Sequence, residues 1–368
     1  MYTKRFDRVK EHLQEREADW LLVSDYRNIA YLCGFWGTSV EERESLLLIG
    51  KEGMVLIIPR MYEETARLLP LVQDSTVTLA IDKERDGLFR ISASYVRRGQ
   101  KLIFENSNIR YSEYQELAKM KDATCEPASQ TVEKMREQKQ PEEIALIKQA
   151  IDMTDRTFNH LVTILREHDY TQYTEQDIVE IVRTYARSIG AEGLAFEPVV
   201  ACGAGSAQPH HHPRTRYLSP DAVLLIDLGI TYRRYHGDLT RCIFLGGVSK
   251  KAYETYQLVY ECNQVCIAAC RPGIQAGELF DTAVSYFDTR GVASRFIHGL
   301  GHGIGLNVHE GPFLRSSRND CILPGMVFTI EPGLYYPGAY GIRIEDVVMV
   351  TDDGCEVLSQ ASRDVVCL

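Results

Sequence analysis

The sequence predicts an α/β protein, of the α+β kind, in two domains: a small α/β domain followed by a larger one built of two related halves. Three observations predict it. The chain has 368 residues, more than one typical domain holds. Its first third carries short apolar runs of strand length, and the remainder follows the plan helices, strands, helices, strands.

In the first third, Phe6, Val9 and Leu13 recur at helical spacing. "WLLVS", "SLLLIG", "MVLIIP", "VTLAI" and "KLIFE" read as strands, with "GKEG" (50–53) as a hairpin turn between two of them. The stretch "EPASQTVEKMREQKQPEE" is polar and aperiodic, which puts a boundary between residues 125 and 140; the expected domains are 1–130 and 131–368. Pro141 followed by Glu142 and Glu143 suits a helix first turn, since proline needs no amide partner there and acids complement the dipole. Ile144, Ile147, Ile151, Phe158, Leu161 and Leu165 continue that helix. Thr174 with Asp177 resembles a capping box, and Gly190 closes the helix that follows. Two further helices span 249–270 and 277–290, stopped by Pro272 and Gly291. Strand-rich blocks follow each helix pair: "AVLLIDLGITYRRYHGDLTRCIFLG" and "GMVFTIEPGLYYPGAYGIRIEDVVMV".

Composition narrows the function. Apolar residues make up 45% and charged residues 25%, as in a soluble globular protein, and the net charge is −10 without a basic block. No nucleic-acid partner is expected. The opening "MYTKRFDRVKEHLQEREADW" is charged throughout, and no apolar stretch approaches the roughly 20 residues a bilayer requires. A cytoplasmic protein with no membrane partner is expected. The ten cysteines lack a secreted framework; Cys262, Cys266 and Cys270 share one helix face, either a thiolate site or, far more in keeping with their spacing, a buried apolar stripe.

The chemistry lies in the strand blocks. Asp227 interrupts "VLLIDLGI", and Asp238 precedes "LTRCIFL"; a turn at Tyr232 and Arg233 would set the two opposite each other. Glu331 ends "VFTIE", and Glu345 lies in "IRIEDVVMV"; a fold about Gly338 would do the same for them. Two carboxylates about 4 Å apart repel by roughly 4 kcal/mol at an effective dielectric near 20. Such pairs must be protonated, solvated, held by Arg241 or Arg343, or neutralised by cations. The four charges match two divalent metals. "FIHGLGHGIGLNVHEGP" (296–312) adds His298, His302 and His309 among glycines; a phosphate loop fails on spacing, leaving a metal site or a structural turn. "PHHH" adds His210, His211 and His212, which cannot all face one site and suit a solvated loop equally well.

These motifs, "PHH" at 209–211, "LLIDLG" with "HGDLTR", "HGLGHGIGLNVHE" at 298–310, "TIEPG" at 329–333 and "RIED" at 343–346, resemble the pita-bread metallopeptidases. That family comprises methionine aminopeptidase, aminopeptidase P, prolidase and the metal-free relative creatinase. The first third resembles the creatinase-like amino-terminal domain of aminopeptidase P and prolidase. The resemblance implies a pseudo-two-fold pita-bread domain, a homodimer, and two divalent ions: manganese first, with cobalt, zinc or iron as alternatives. It implies that Asp227 chelates one metal, that Asp238 and Glu345 bridge both, and that His302 and Glu331 hold the second. His210 and His309 match catalytic histidines on the substrate side, and Glu331 the catalytic proton shuttle. His298 and Arg343 match positions beside the substrate, Arg343 through its hold on a bridging carboxylate. Gly237 departs from the serine many relatives carry there.

The implied reaction is hydrolysis of Xaa-Pro bonds in proline-containing dipeptides or short peptides by a hydroxide shared between two ions, whose water is acidified from pKa 15.7 towards about 7. Two rival readings remain, a non-catalytic peptide-binding module and a creatinase-like C–N hydrolase.

Overall fold

A computed structural model of the protein describes residues 2–37, 42–83, 87–120, 123–247 and 249–368. The chain forms two compact units, Met1–Met135 and Arg136–Leu368.

The first unit is built on six strands: β1 (Trp20–Val23), β2 (Leu46–Gly50), β3 (Met54–Pro59), β4 (Val77–Asp82), β5 (Lys101–Glu105) and β6 (Thr124–Ala128), in the order β4-β3-β2-β1-β5-β6. Gly50 donates its N–H to the carbonyl of Gly53 at 2.9 Å, so "GKEG" is the expected hairpin turn. Every residue of β2 is buried, which is why it reads as an unbroken apolar run: both faces of the sheet are covered. The helix Tyr2–Glu15 buries Val9 and Leu13. Strand β6, "TCEPA", has no apolar run and sits at the sheet edge, where its proline needs no ladder partner.

In the second unit the helices Pro141–Glu167 and Glu175–Ser188 carry the expected caps: proline in the first turn of one, the reciprocal Thr174–Asp177 box on the other. Strands β7 (Gly193–Leu194), β8 (Val199–Cys202), β9 (Ala222–Leu228), β10 (Ile230–Tyr232), β11 (Tyr235–His236) and β12 (Leu239–Leu245) follow. The helices Lys250–Ala269 and Ala276–Asp288 come next. They are succeeded by β13 (Gly301–Gly303), β14 (Glu310–Leu314), β15 (Val327–Ile330), β16 (Gly333–Tyr336), β17 (Tyr340–Arg343), β18 (Asp346–Val350), β19 (Cys355–Val357) and β20 (Val366–Cys367). The order helices, strands, helices, strands holds.

Strand periodicity divides the core in two. From β9 and β12, Leu224, Ile226 and Ile243 pack with Phe158, Leu161, Ile178 and Val182 of the first helix pair. Their neighbours Val223, Leu225 and Phe244 pack with Val259, Leu279 and Phe287 of the second pair and with Phe328 and Ile330 of β15. Asp227 continues the row of Val223 and Leu225, so it lies on the face turned towards the second half. Cys262, Cys266 and Cys270 are buried in this same core, the apolar-stripe alternative. Among the described residues no helix is long and apolar enough to cross a membrane.

Candidate metal centre

Strand pairing delivers the acids. On β9 and β12, Asp227 stands opposite Thr240, not Asp238 as the sequence suggested. The reason is the turn, which falls at Arg233 and Arg234, both in the left-handed region with φ of 45° and 70°. Arginine is not a residue that marks such a turn, so its position was not legible. A displacement of two residues preserves the face, and Asp238 stays on the same side as Asp227, one diagonal step away. The second pair follows the expected register. Ile330 pairs with Asp346 on β15–β18 and Gly333 with Arg343 on β16–β17, so both ladders fold about Gly338, at φ 77°. Glu331 and Glu345 occupy facing positions between the two ladders.

His302 enters from β13. Its flanking glycines are explained by backbone contact: a Cβ on Gly301 would lie 1.9 Å from the carbonyl oxygen of Thr329, and one on Gly303 equally close to that of Gly311. The ring's Nδ1 is 3.1 Å from the carbonyl of Gly303, which places the proton there and leaves the Nε2 lone pair bare. That lone pair faces Glu331 Oε1 at 3.5 Å and Asp238 Oδ2 at 3.7 Å.

The electrostatics are unbalanced. Arg343 sets its Nη2 2.5 Å from Asp227 Oδ2 and its Nε 3.9 Å from Glu331 Oε2. It also donates to Thr240 Oγ1 (3.0 Å) and the Tyr335 hydroxyl (2.8 Å). Arg241 gives nothing to these four acids' side chains; its Nη2 lies 2.8 Å from Asp346 Oδ1. Burial raises the pKa of all four carboxyls, that of Glu331 to about 7 and those of Asp238 and Glu345 well above the usual range, where neighbouring acids reinforce it. Burial lowers His302 to about 3 and His298 to about 4, so both imidazoles are neutral near pH 7.

A divalent cation fits these residues. Ligand atoms of Asp238, His302 and Glu345 lie within 4.8 Å of one another. Asp227 Oδ1 is buried without a hydrogen-bond partner among the described residues. A bare imidazole lone pair turned on two carboxylates is repulsive unless a proton or a metal ion lies between them. The donor set mixes carboxylate with imidazole and has no thiolate, which suits a hard or borderline ion. Thr240, which sequence reasoning passed over, ties the two halves together: its hydroxyl donates to Glu345 Oε2 at 2.6 Å while accepting from Arg343. Its position two residues after Asp238, hence on the same face, was the available signal.

The acids open into a cavity of about 630 Å³, also lined by Phe196, His210, His298, His309, Phe313 and Arg315. His210 and His309 are exposed there and hydrogen-bond to none of the described residues; the His309 ring stacks edge-on to His302 with centroids 4.2 Å apart. His298 is held instead, with Nδ1 2.7 Å from the Gly299 carbonyl and Nε2 2.9 Å from the Tyr335 hydroxyl. The arginine Arg343 stands behind the acids, 4% exposed. His212 is exposed at the rim, whereas His211 is buried against Glu175. Gly237 also has a local cause: a Cβ there would lie 2.5 Å from Thr154 Oγ1 and 2.7 Å from the Ala150 carbonyl.

The model described as metallopeptidase family M24 matches residues 145–352, and that of the creatinase/prolidase amino-terminal domain matches 5–138. A Staphylococcus aureus relative described as an uncharacterized peptidase is 30% identical over 361 residues, 98% of this chain and 99% of its own length. A solved structure described as an Xaa-Pro dipeptidase from Bacillus anthracis superposes with a TM-score of 0.90 at 29% identity, covering all of both chains. The prolidase from Pyrococcus horikoshii gives 0.87 at 27%, over 99% of this chain and 100% of its own. The X-Pro aminopeptidase from Thermotoga maritima gives 0.81 at 28%, over 96% and 99%.

Proposed function

The chain belongs to metallopeptidase family M24, and from that premise we propose that it is a metal-dependent exopeptidase cleaving Xaa-Pro bonds at the amino terminus of dipeptides or short peptides. The observation that carries this reading is the convergence of four carboxylates, two buried and two half-buried, and one bare imidazole nitrogen at the floor of a peptide-sized cavity. The full-length likeness to Xaa-Pro dipeptidase and prolidase structures supports the substrate class.

Asp227, Asp238, His302, Glu331 and Glu345 would hold two divalent ions, manganese foremost on the oxygen-rich donor set, with cobalt, zinc or iron as alternatives. When bound, such a pair acidifies water and polarises the scissile carbonyl. The chain's own residues do the rest. Glu331 is the acid suited to move a proton: of the acids lining the cavity, its side chain is 16% exposed against 5% for Asp238, Glu345 is 2% exposed, and Asp227 is engaged by Arg343. It takes the proton of the attacking water on a carboxylate oxygen and delivers it to the leaving nitrogen. His309 and His210 have ring nitrogens free to donate to the substrate carbonyl as charge develops on its oxygen. His298 and Arg343 support the site wall through the shared Tyr335 hydroxyl.

The bond before proline has no amide hydrogen, so shape must recognise the ring, and Phe196 and Phe313 offer apolar walls for it. Arg315, exposed beside Phe313, supplies a cation for a free terminal carboxylate. Ten unpaired cysteines suit a reducing cytoplasm. A homodimer accompanies the proposal. The test is a panel of Xaa-Pro, Xaa-Pro-Yaa and Met-Ala-Yaa peptides with each metal. Cleavage confined to bonds before proline is expected; no cleavage of any Xaa-Pro bond would remove the proposal.

A further inference from the structure

His210 is exposed in the cavity with no hydrogen bond of its own to any described residue, yet its proposed role needs a fixed ring. The segment that carries it is anchored on both sides. Upstream, Ser206 Oγ accepts the N–H of Gly341 on β17 at 2.9 Å. The turn then closes through Gln208 N to the Gly205 carbonyl (3.0 Å) and His211 N to the Gln208 carbonyl (3.1 Å). Downstream, the His211 ring is buried, with Nε2 2.9 Å from Glu175 Oε2.

Glu175 is itself 1% exposed and is the first residue of its helix. Its Oε1 accepts from Cys202 N and its Oε2 from Arg214 N, both at 2.9 Å. The carboxylate therefore grips the chain before and after His210 and is held by backbone donors at a helix start, with no Lys or Arg partner among the described residues.

His211 is an expensive residue for this place. Its Nε2 must carry the proton given to Glu175, and Nδ1 is then buried with no hydrogen-bond partner among the described residues. A leucine would fill the space without an unsatisfied nitrogen, so packing alone does not account for the imidazole. The surroundings also make room for it: a Cβ on Gly205 would lie 3.1 Å from the ring's Cε1. What imidazole adds over leucine is a directional bond, one residue from His210.

We propose that His211, fastened to Glu175, is a positioning residue that turns its neighbour His210 into the cavity. This rests on the reading of the cavity as a peptide-hydrolysing site.

The test is a double-mutant cycle on the full-length, metal-loaded protein, with an Xaa-Pro dipeptide as substrate. His211→Leu is expected to lower kcat/KM about 10- to 100-fold in the parent, chiefly through kcat, and less than about two-fold in a His210→Ala background. Equal losses in both backgrounds would overturn the proposal. Because His211→Leu could fold poorly, Glu175→Gln provides a second variant with a readout independent of turnover. In histidine-labelled, Zn2+-loaded protein, the His210 ring should give one set of NMR signals in the parent and broadened or multiple signals in Glu175→Gln. An unchanged His210 spectrum would overturn the proposal even if the parent cleaved no peptide, an outcome that would instead remove the proposed function.

Discussion

Arg343 holds one oxygen of Asp227 at 2.5 Å, while the other oxygen of that carboxylate is buried with no hydrogen-bond partner among the described residues. One guanidinium thus serves a cluster of four acids, and the cluster's remaining negative charge is what a metal would answer. Removing one member of a buried ion pair typically costs about 3–5 kcal/mol, because the abandoned charge stays buried. Arg343→Met should therefore lower the stability of the chelated protein by about that amount, and divalent metal should restore much of it. Thermal melts with and without Mn2+ test this: the metal-induced rise in Tm should be larger in the variant than in the parent, and an equal rise would count against it.

Glu331→Gln keeps the shape and one acceptor oxygen but cannot carry a proton back and forth. Turnover of Xaa-Pro peptides should fall by at least about 100-fold, since positioned acid–base groups contribute about 10²–10⁴. Metal content measured on the same sample separates loss of the shuttle from loss of the ion. Near-normal turnover with metal bound contradicts the assigned role.

Legibility in the sequence followed the visibility of the turns. Glu331 and Glu345 could be paired because Gly338, at the midpoint, marks a turn that needs a positive φ. Asp227 and Asp238 were misregistered by two because Arg233 and Arg234 adopt that conformation without announcing it. Apolar strands β1 to β5 were plain, whereas β6 was not, for an edge strand has little to bury. The burial of His211 was hidden because its partner Glu175 lies 36 residues away and reads as an ordinary helix-start acid.

Gly237 gives a test of local packing. Replacing it by serine would push a Cβ against Thr154 Oγ1 and the Ala150 carbonyl, at 2.5 and 2.7 Å. Overpacking of this kind costs about 1–3 kcal/mol. A reduced Tm is expected for Gly237→Ser. Thr154→Ala should restore only part of it, since the backbone carbonyl remains; an unchanged Tm in the single variant would show that the helix 141–167 yields freely.

Glu105 gives the first unit a pH dependence. Burial, reinforced by the nearby Glu133, pushes its pKa up to about 7 from an ordinary 4.5, against donors from Ser24, Asp25 and Asn28 that favour the charged form. A raised folded pKa means the native state binds more protons than the unfolded chain between those values. The stabilisation is full below about 4.5 and is lost as pH rises through about 7, a change of about 3 kcal/mol. Trp20 and Trp36 are the chain's two tryptophans and both lie in this unit, so urea unfolding followed by tryptophan fluorescence reads it selectively. Stability should fall between pH 5.5 and 8, and Glu105→Gln should flatten that slope. A parent whose stability rises over this range contradicts the prediction.

Metal stoichiometry tests the central claim most directly. The chain, stripped by chelation, reloaded with Mn2+ and desalted, is analysed for metal per polypeptide beside Asp238→Ala. Two ions per chain are predicted for the parent and at most one for the variant, with Xaa-Pro cleavage lost alongside. One ion or fewer in the parent, or Xaa-Pro cleavage that survives exhaustive chelation, would contradict a dinuclear peptidase.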